Sequence, residues 1–84
     1  MSMRIPPIHC LQTFDTLARV RSVTRTAGEL CVTPSAVTNR IKILEDAVGV
    51  PLFRRCDFSL TAEGVEYLRD VRDALTVLRR RFVR

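Results

Sequence analysis

The sequence has no tryptophan, a single histidine, three glycines and one lysine in 84 residues. One histidine, with no convergent carboxylates, no glycine-rich loop and no Ser-His-Asp set, leaves no constellation that performs catalysis, so an enzyme is not expected. No apolar run reaches the roughly 18 residues that cross a bilayer, and the opening lacks the apolar stretch of a signal peptide. No membrane partner follows from either. Cysteine is scarce and unpaired: Cys10, Cys31 and Cys56 are an odd set with no CxxC. A secreted disulfide scaffold wants an even and denser set, and a zinc site wants three or four ligands at metal spacing. His9 adjoins Cys10 and points elsewhere. We expect free thiols in a reducing compartment, a cytoplasmic protein, and no metal or cofactor. The length bounds the rest, since a chain this short buries only about 60% of its unfolded surface and forms one small domain.

What is abundant is arginine. Fourteen basic residues stand against nine acidic ones, and the net charge is +5. All the basic residues except Lys42 are arginine. Guanidinium presents a planar fork of donors that matches phosphate oxygens and base edges, so the surplus points to nucleic acid. A solvated basic surface, or a membrane surface, is equally compatible with the charge alone.

The pattern along the chain narrows this. Met1 to Ile5 is a short tail, and Pro7 suits the first turn of a helix. Leu11, Phe14 and Ala18, flanked by Cys10 and Leu17, then share one face of a helix over 8–20, with Gln12, Asp15, Thr16 and Arg19 on the other. Ser22 is an N-cap for a second helix in which Val23, Ala27 and Leu30 sit at i, i+4 and i+7, ending near Cys31. Thr33 caps a third, with Pro34 at its first position. Val37, Ile41, Leu44 and Val48 form a narrow apolar stripe along that helix, about 34–48, and Gly49 ends it. Pro51 to Leu60 reads as a small two-stranded hairpin. Thr61 caps a long last helix with Glu63 near its positive end.

In that last helix Gly64, Leu68, Val71, Leu75, Leu78 and Phe82 are spaced 4, 3, 4, 3, 4, which is an a/d seam. The same spacing serves a helix lying on its own domain's core. The mid-helix glycine favours a dimer seam, because glycine is tolerated where another backbone approaches closely. Arg79, Arg80, Arg81 and Arg84 end the chain where the helix dipole favours cations, and a solvated end accounts for them.

A short helix, a tight turn, a second helix with a polar first half and a basic hairpin make a mainly α winged helix-turn-helix: a three-helix core, a small two-stranded wing and a long C-terminal linker helix. The third helix fits the major groove of B-DNA, and its core stripe fixes which side chains face outward. Ser35, Thr38 and Asn39 then reach base edges or phosphates, and Asn39 is the residue whose amide can pair bidentately with adenine. Arg40 and Lys42 lie one turn on, over backbone. Arg54 and Arg55 of the hairpin reach phosphates or the flanking minor groove. Each alone is explained by solvation; together, on one side of one motif, they form a surface. The other reading is an interaction module that keeps the motif as scaffold and uses the seam for a protein partner.

Residues Ser22 to Phe53, S-V-T-R-T-A-G-E-L-C-V-T-P-S-A-V-T-N-R-I-K-I-L-E-D-A-V-G-V-P-L-F, resemble the DNA-binding domain of the LysR-type transcriptional regulators. The likeness begins at L-x-x-F, Leu11 and Phe14, includes L-E-x-x-x-G-x-x-L-F from Leu44 to Phe53, and runs on through Arg55 to L-T-x-x-G at Leu60, Thr61 and Gly64. It implies a bacterial regulator that binds double-stranded DNA as a homodimer, joined through the last helix, with two third helices in successive major grooves of an interrupted palindrome. It implies phosphate contacts from Ser22, Thr24 and Arg25, and site reading by Pro34, Ser35, Ala36, Thr38 and Asn39, with Thr33 in the same surface. Arg55 takes the place of the family's wing contact. Three features depart from the usual pattern: Pro34-Ser35 replaces Gln-Pro, Thr26-Ala27-Gly28 replaces an Ala-Ala pair, and the wing loop Cys56 to Ser59 is short. The resemblance divides the chain into a DNA-binding domain, 1–60, and a linker and dimerisation helix, 61–84. It assigns small-molecule sensing to a longer effector domain absent from this chain, so these residues are not expected to sense a metabolite themselves.

Overall fold

A computed structural model describes residues 6–82. Four helices make up the fold: α1 (Ile8–Val20), α2 (Val23–Leu30), α3 (Pro34–Val48) and α4 (Ala62–Phe82). Helix α1 is the hub, packing against each of the other three, while α3 also packs on α2.

The boundaries follow from local chemistry. Arg21, at φ 60°, ends α1 and donates its backbone N–H to the Leu17 carbonyl at 2.7 Å. Ser22 begins α2 at once, its Oγ accepting from the Arg25 N–H at 3.2 Å. Cys31, at φ 59°, closes α2. Thr33 Oγ1 then accepts from the Ala36 N–H at 3.2 Å, with Pro34 in the first position, where no N–H is required. Gly49, at φ 89°, ends α3 in the left-handed region that glycine enters without steric cost. The expected spans for the first and third helices match the observed ones, and α2 stops one residue short of Cys31.

The core forms around Phe14, which is fully buried with Leu17, Val37, Leu44 and Leu52. Its ring meets Phe53 edge-on at 5.4 Å and Tyr67 at 5.6 Å. One α1 residue expected on the outer face lies inside: Thr16 is buried, as is Thr13, whose hydroxyl donates to the His9 carbonyl at 2.7 Å. Packing by α2, α3 and α4 leaves α1 a wider buried face than one apolar stripe predicts. Thr26 in α2 is fully buried, and its hydroxyl has no hydrogen-bond partner among the described residues.

Two expectations are corrected. The wing is no two-stranded hairpin: between α3 and α4 a single antiparallel bridge joins Phe53 and Leu60. Two backbone bonds flank that bridge, from the Arg54 N–H to the Ser59 carbonyl and from the Thr61 N–H to the Leu52 carbonyl, and the groups that would extend it are used elsewhere. Pro51 has no N–H, the Leu52 and Phe53 N–H groups go to the Glu45 carboxylate, and the Phe58 N–H turns back to the Arg54 carbonyl at 2.9 Å.

The second correction concerns the seam. Gly64, Leu68, Val71 and Leu75 are buried, the three apolar side chains within the chain's own core, so this stretch of the stripe faces α1 and the wing base rather than another molecule. Leu78, on the same stripe, is 42% exposed, and the side chain of Phe82 lies outside the described residues. Gly64 does answer a close backbone approach, but within the chain: a Cβ there would collide with the Leu52 carbonyl oxygen. Thr61 secures the same junction, its hydroxyl donating to the Pro51 carbonyl at 2.8 Å while accepting from the Gly64 N–H at 3.0 Å.

Replacing Gly64 with alanine should therefore destabilise the fold, by about 1–3 kcal/mol, the usual range for overpacking against backbone that cannot move aside. Thr26→Val, which removes an unpaired buried hydroxyl at nearly constant volume, should instead raise the melting temperature. Thermal melts followed by circular dichroism check both, and opposite signs at the two sites are the expected result.

Candidate nucleic-acid interface

Burying Val37, Ile41 and Leu44 fixes the roll of α3, so the side of the helix opposite them is turned to solvent. Ser35, Thr38, Asn39 and Lys42 are all exposed there. The N-terminus of the helix adds exposed Thr33 and Pro34 and half-buried Ala36. Pro34 has no N–H and Thr33 takes those of Ala36 and Val37, so at this end the Ser35 backbone N–H and the helix dipole attract an anion. The Thr38 hydroxyl is engaged as a donor within the helix, 3.0 Å from the Ser35 carbonyl and 3.4 Å from that of Pro34. It offers an outside group its acceptor lone pairs and its methyl.

The first turn of α2 presents exposed Thr24 and Arg25 beside half-buried Ser22. Arg40 departs from the expected grouping. It sits next to the core stripe rather than opposite it, is half-buried, and reaches α1, where its Nη1 donates to Thr13 Oγ1 at 3.4 Å. Burial raises the pKa of the neighbouring Cys10 thiol, against the opposing influence of the Arg40 charge.

Across a groove of about 800 Å³ from α3 lies the wing, carrying exposed Arg54 and Arg55. Thr38, Asn39, Lys42 and Glu45 line its helical wall, Arg55 and Phe58 its wing wall, and Ile41 and Phe53 also line it. Three residues given no role by the sequence pattern, Glu45, Asp57 and Arg21, shape the wing. Glu45 Oε2 accepts from the Leu52 N–H at 2.8 Å and the Phe53 N–H at 3.3 Å. Asp57 accepts from the Ser59 N–H at 3.0 Å and hydroxyl at 2.7 Å, closing the tip. Those hydrogen bonds, with Arg21 and Arg54 nearby, hold the Asp57 carboxyl below its usual range. Arg21 Nη2 stands 3.6 Å from Asp57 Oδ2, an exposed pair of little energetic weight that nonetheless spans from the α1–α2 turn to the wing. Asp57 is legible as an Asx turn two residues before Ser59. Glu45 stands in the L-E-x-x-x-G-x-x-L-F motif together with its partners Leu52 and Phe53, but no periodicity assigns it a role, because those partners lie across a chain reversal.

All three cysteines are free, with Cys10 buried and Cys31 and Cys56 exposed. Among the described residues no group of three or more histidine, cysteine or carboxylate side chains is placed to hold a metal, and no helix is long and apolar enough to cross a membrane.

Comparison with known proteins agrees with this geometry. The family model described as bacterial regulatory helix-turn-helix protein, lysR family, matches residues 8–65. The glycine cleavage system transcriptional activator of Escherichia coli K12 is 48% identical over 80 residues, covering 93% of this chain and 26% of the relative. Its Haemophilus influenzae homolog is 43% identical over 77 residues, covering 89% of this chain and 26% of that protein. The chain thus spans about a quarter of the length of these curated relatives. Among solved structures, Vibrio fischeri DarR in complex with DNA superposes with a TM-score of 0.88 at 28% identity, covering 95% of this chain and 28% of that one. Match, relatives and fold agree: the chain belongs to the lysR family of bacterial regulatory helix-turn-helix proteins.

Proposed function

We propose that these residues read double-stranded DNA for a bacterial transcriptional regulator, with α3 in the major groove and the wing on the flanking backbone or minor groove. The observation that carries this is the fixed roll of α3, which turns Ser35, Asn39 and Lys42 outward together while Val37, Ile41 and Leu44 are locked inside. Asn39 reads a base, Pro34, Ala36 and the Thr38 methyl offer apolar contact to thymine, and Lys42 neutralises a phosphate. Thr33 and Ser35 stand at the anion-attracting end of α3. Ser22, Thr24 and Arg25 meet the backbone at the start of α2, and Arg54 and Arg55 meet it from the wing. Arg40, turned toward α1, contributes positive potential rather than a contact.

Homodimerisation through α4 belongs to the same reading, over a revised surface. Val65, Val77 and Leu78 are exposed apolar residues on this helix. Its charges are also unevenly placed: exposed Glu63, Glu66, Asp70 and Asp73, with Arg69 and Arg72 among them and Arg72 paired to Asp15, precede Arg79, Arg80 and Arg81 in the last turn. A second copy laid antiparallel brings each acidic stretch against the other's arginines, so a two-fold pairing is electrostatically complementary. Two copies would place two α3 helices on an interrupted palindrome. Sensing of a small-molecule effector is assigned to a part of the regulator outside these 84 residues, and the working compartment is the bacterial cytoplasm, where the chromosome lies.

Fluorescence anisotropy against duplex DNA over a salt series tests the reading. Log affinity should fall linearly with log salt, by roughly 0.9 per phosphate neutralised. Arg55→Ala should flatten that slope on every sequence, whereas Asn39→Ala should cost about 1–3 kcal/mol mainly on the cognate site. Salt-independent binding would contradict the proposal. For the dimer, sedimentation of Leu78→Arg should report monomer with an unchanged melting temperature; an unchanged dimer would remove α4's exposed end from the interface.

A further inference from the structure

We infer that Glu45 is a positioning residue for DNA binding: its carboxylate fixes the wing arginines relative to α3, on the reading that both contact one duplex. Glu45 serves both ends of the junction. Its backbone carbonyl accepts from the Gly49 N–H at 2.8 Å, closing α3, and its Oε2 accepts from both Leu52 and Phe53 N–H groups. Those N–H groups belong to the two residues just before Arg54 and Arg55. The second leg of the wing bonds this leg through other groups, the Thr61 N–H taking the Leu52 carbonyl at 3.0 Å and the Arg54 N–H the Ser59 carbonyl at 2.8 Å, and the Leu52 and Phe53 N–H groups are left to Glu45. The first leg is thus moored to α3 as well as to the second leg, and to α3 by charge-assisted bonds, roughly twice as strong as neutral ones.

Charge sharpens the point. Glu45 lines the same groove as Lys42 and Arg55, where a negative group opposes a phosphate. Two N–H donors on one oxygen offset that opposition and convert the carboxylate into a strut. Backbone bonds between its legs hold the wing to itself, and the Glu45 tie fixes it relative to α3 in advance, which spares the ordering cost otherwise met on binding.

The salt series compares wild type, Glu45→Ala, Glu45→Gln and the double variant Arg54→Ala/Arg55→Ala, with melts confirming that each folds. The arginine double variant should flatten the slope by about 0.9 for each phosphate it no longer neutralises, and Glu45→Ala should flatten it toward the same value. In the double-variant background Glu45→Ala should flatten it no further. Glu45→Gln should keep the wild-type slope, because one oxygen carries both hydrogen bonds. A wild-type slope in Glu45→Ala, or full additivity, overturns the inference. So does a Glu45→Gln variant that behaves like Glu45→Ala. Should Glu45→Ala not fold, amide exchange in the wild-type chain decides: slow exchange at Leu52 and Phe53 supports the strut, and exchange as fast as at the wing tip overturns it. An Arg54→Ala/Arg55→Ala slope equal to wild type, or no salt-dependent binding by wild type, refutes the DNA reading itself and is visible separately from any Glu45 result.

Discussion

Burial of Phe14 is the contact from which the remaining geometry follows. Its ring meets Phe53 of the wing and Tyr67 of α4, in a core that also contains Leu44 of α3, so one side chain from α1 joins the wing and α4 within the core that seats α3, and the placement of these elements defines the surface proposed to meet DNA. Truncating a buried phenylalanine typically costs about 3–5 kcal/mol, a large share of the roughly 5–15 kcal/mol that holds a small domain folded. The cysteines are free and no cluster among the described residues is placed to hold a metal; the roll of α3 and the seat of the wing rest on apolar packing and a few directed hydrogen bonds.

Those hydrogen bonds concentrate where the chain changes direction. Ser22, Thr33 and Thr61 each place a hydroxyl under the first turn of a helix, and Thr61 also grips Pro51. Glu45 and Asp57 do comparable work in the wing, one at its base and one at its tip. Exposed ion pairs such as Arg19 with Glu29 and Arg72 with Asp15, both at 2.8 Å, tie α1 to α2 and α4 but contribute little stability each. The apolar core sets which faces meet, and the hydroxyl and carboxylate bonds set the angles at which the elements leave one another.

Much of this is legible in the residues. Caps at Ser22 and Thr33, proline at the first position of α3 and Gly49 at its end act locally, so the helix boundaries follow from neighbours in sequence. The outward face of α3 follows from its stripe for the same reason. What is not legible depends on non-local partners. Glu45 binds backbone seven and eight residues on, across a reversal that no periodicity reports. The α4 stripe is visible, but its spacing is common to a dimer seam and an intramolecular face, and the Leu52 carbonyl that explains Gly64 lies in another element. Arg40 reads as outward from its neighbours, although its angle on the helix places it beside the core stripe. The resemblance to LysR-type regulators identifies the fold and family; it does not say which part of the α4 stripe this chain uses for itself.

If one continuous surface, formed by the starts of α2 and α3 together with the wing, meets the duplex, the backbone amides should register it. The decisive titration follows their chemical shifts in the 84-residue chain as a duplex carrying the operator is added. The largest changes are expected at Ser22 to Arg25, Thr33 to Lys42 and Arg54–Arg55, with the core-facing residues Leu68, Val71 and Leu75 nearly unmoved. Binding that shifts the arginine end of α4 while leaving α3 and the wing unchanged would show that the duplex is held elsewhere.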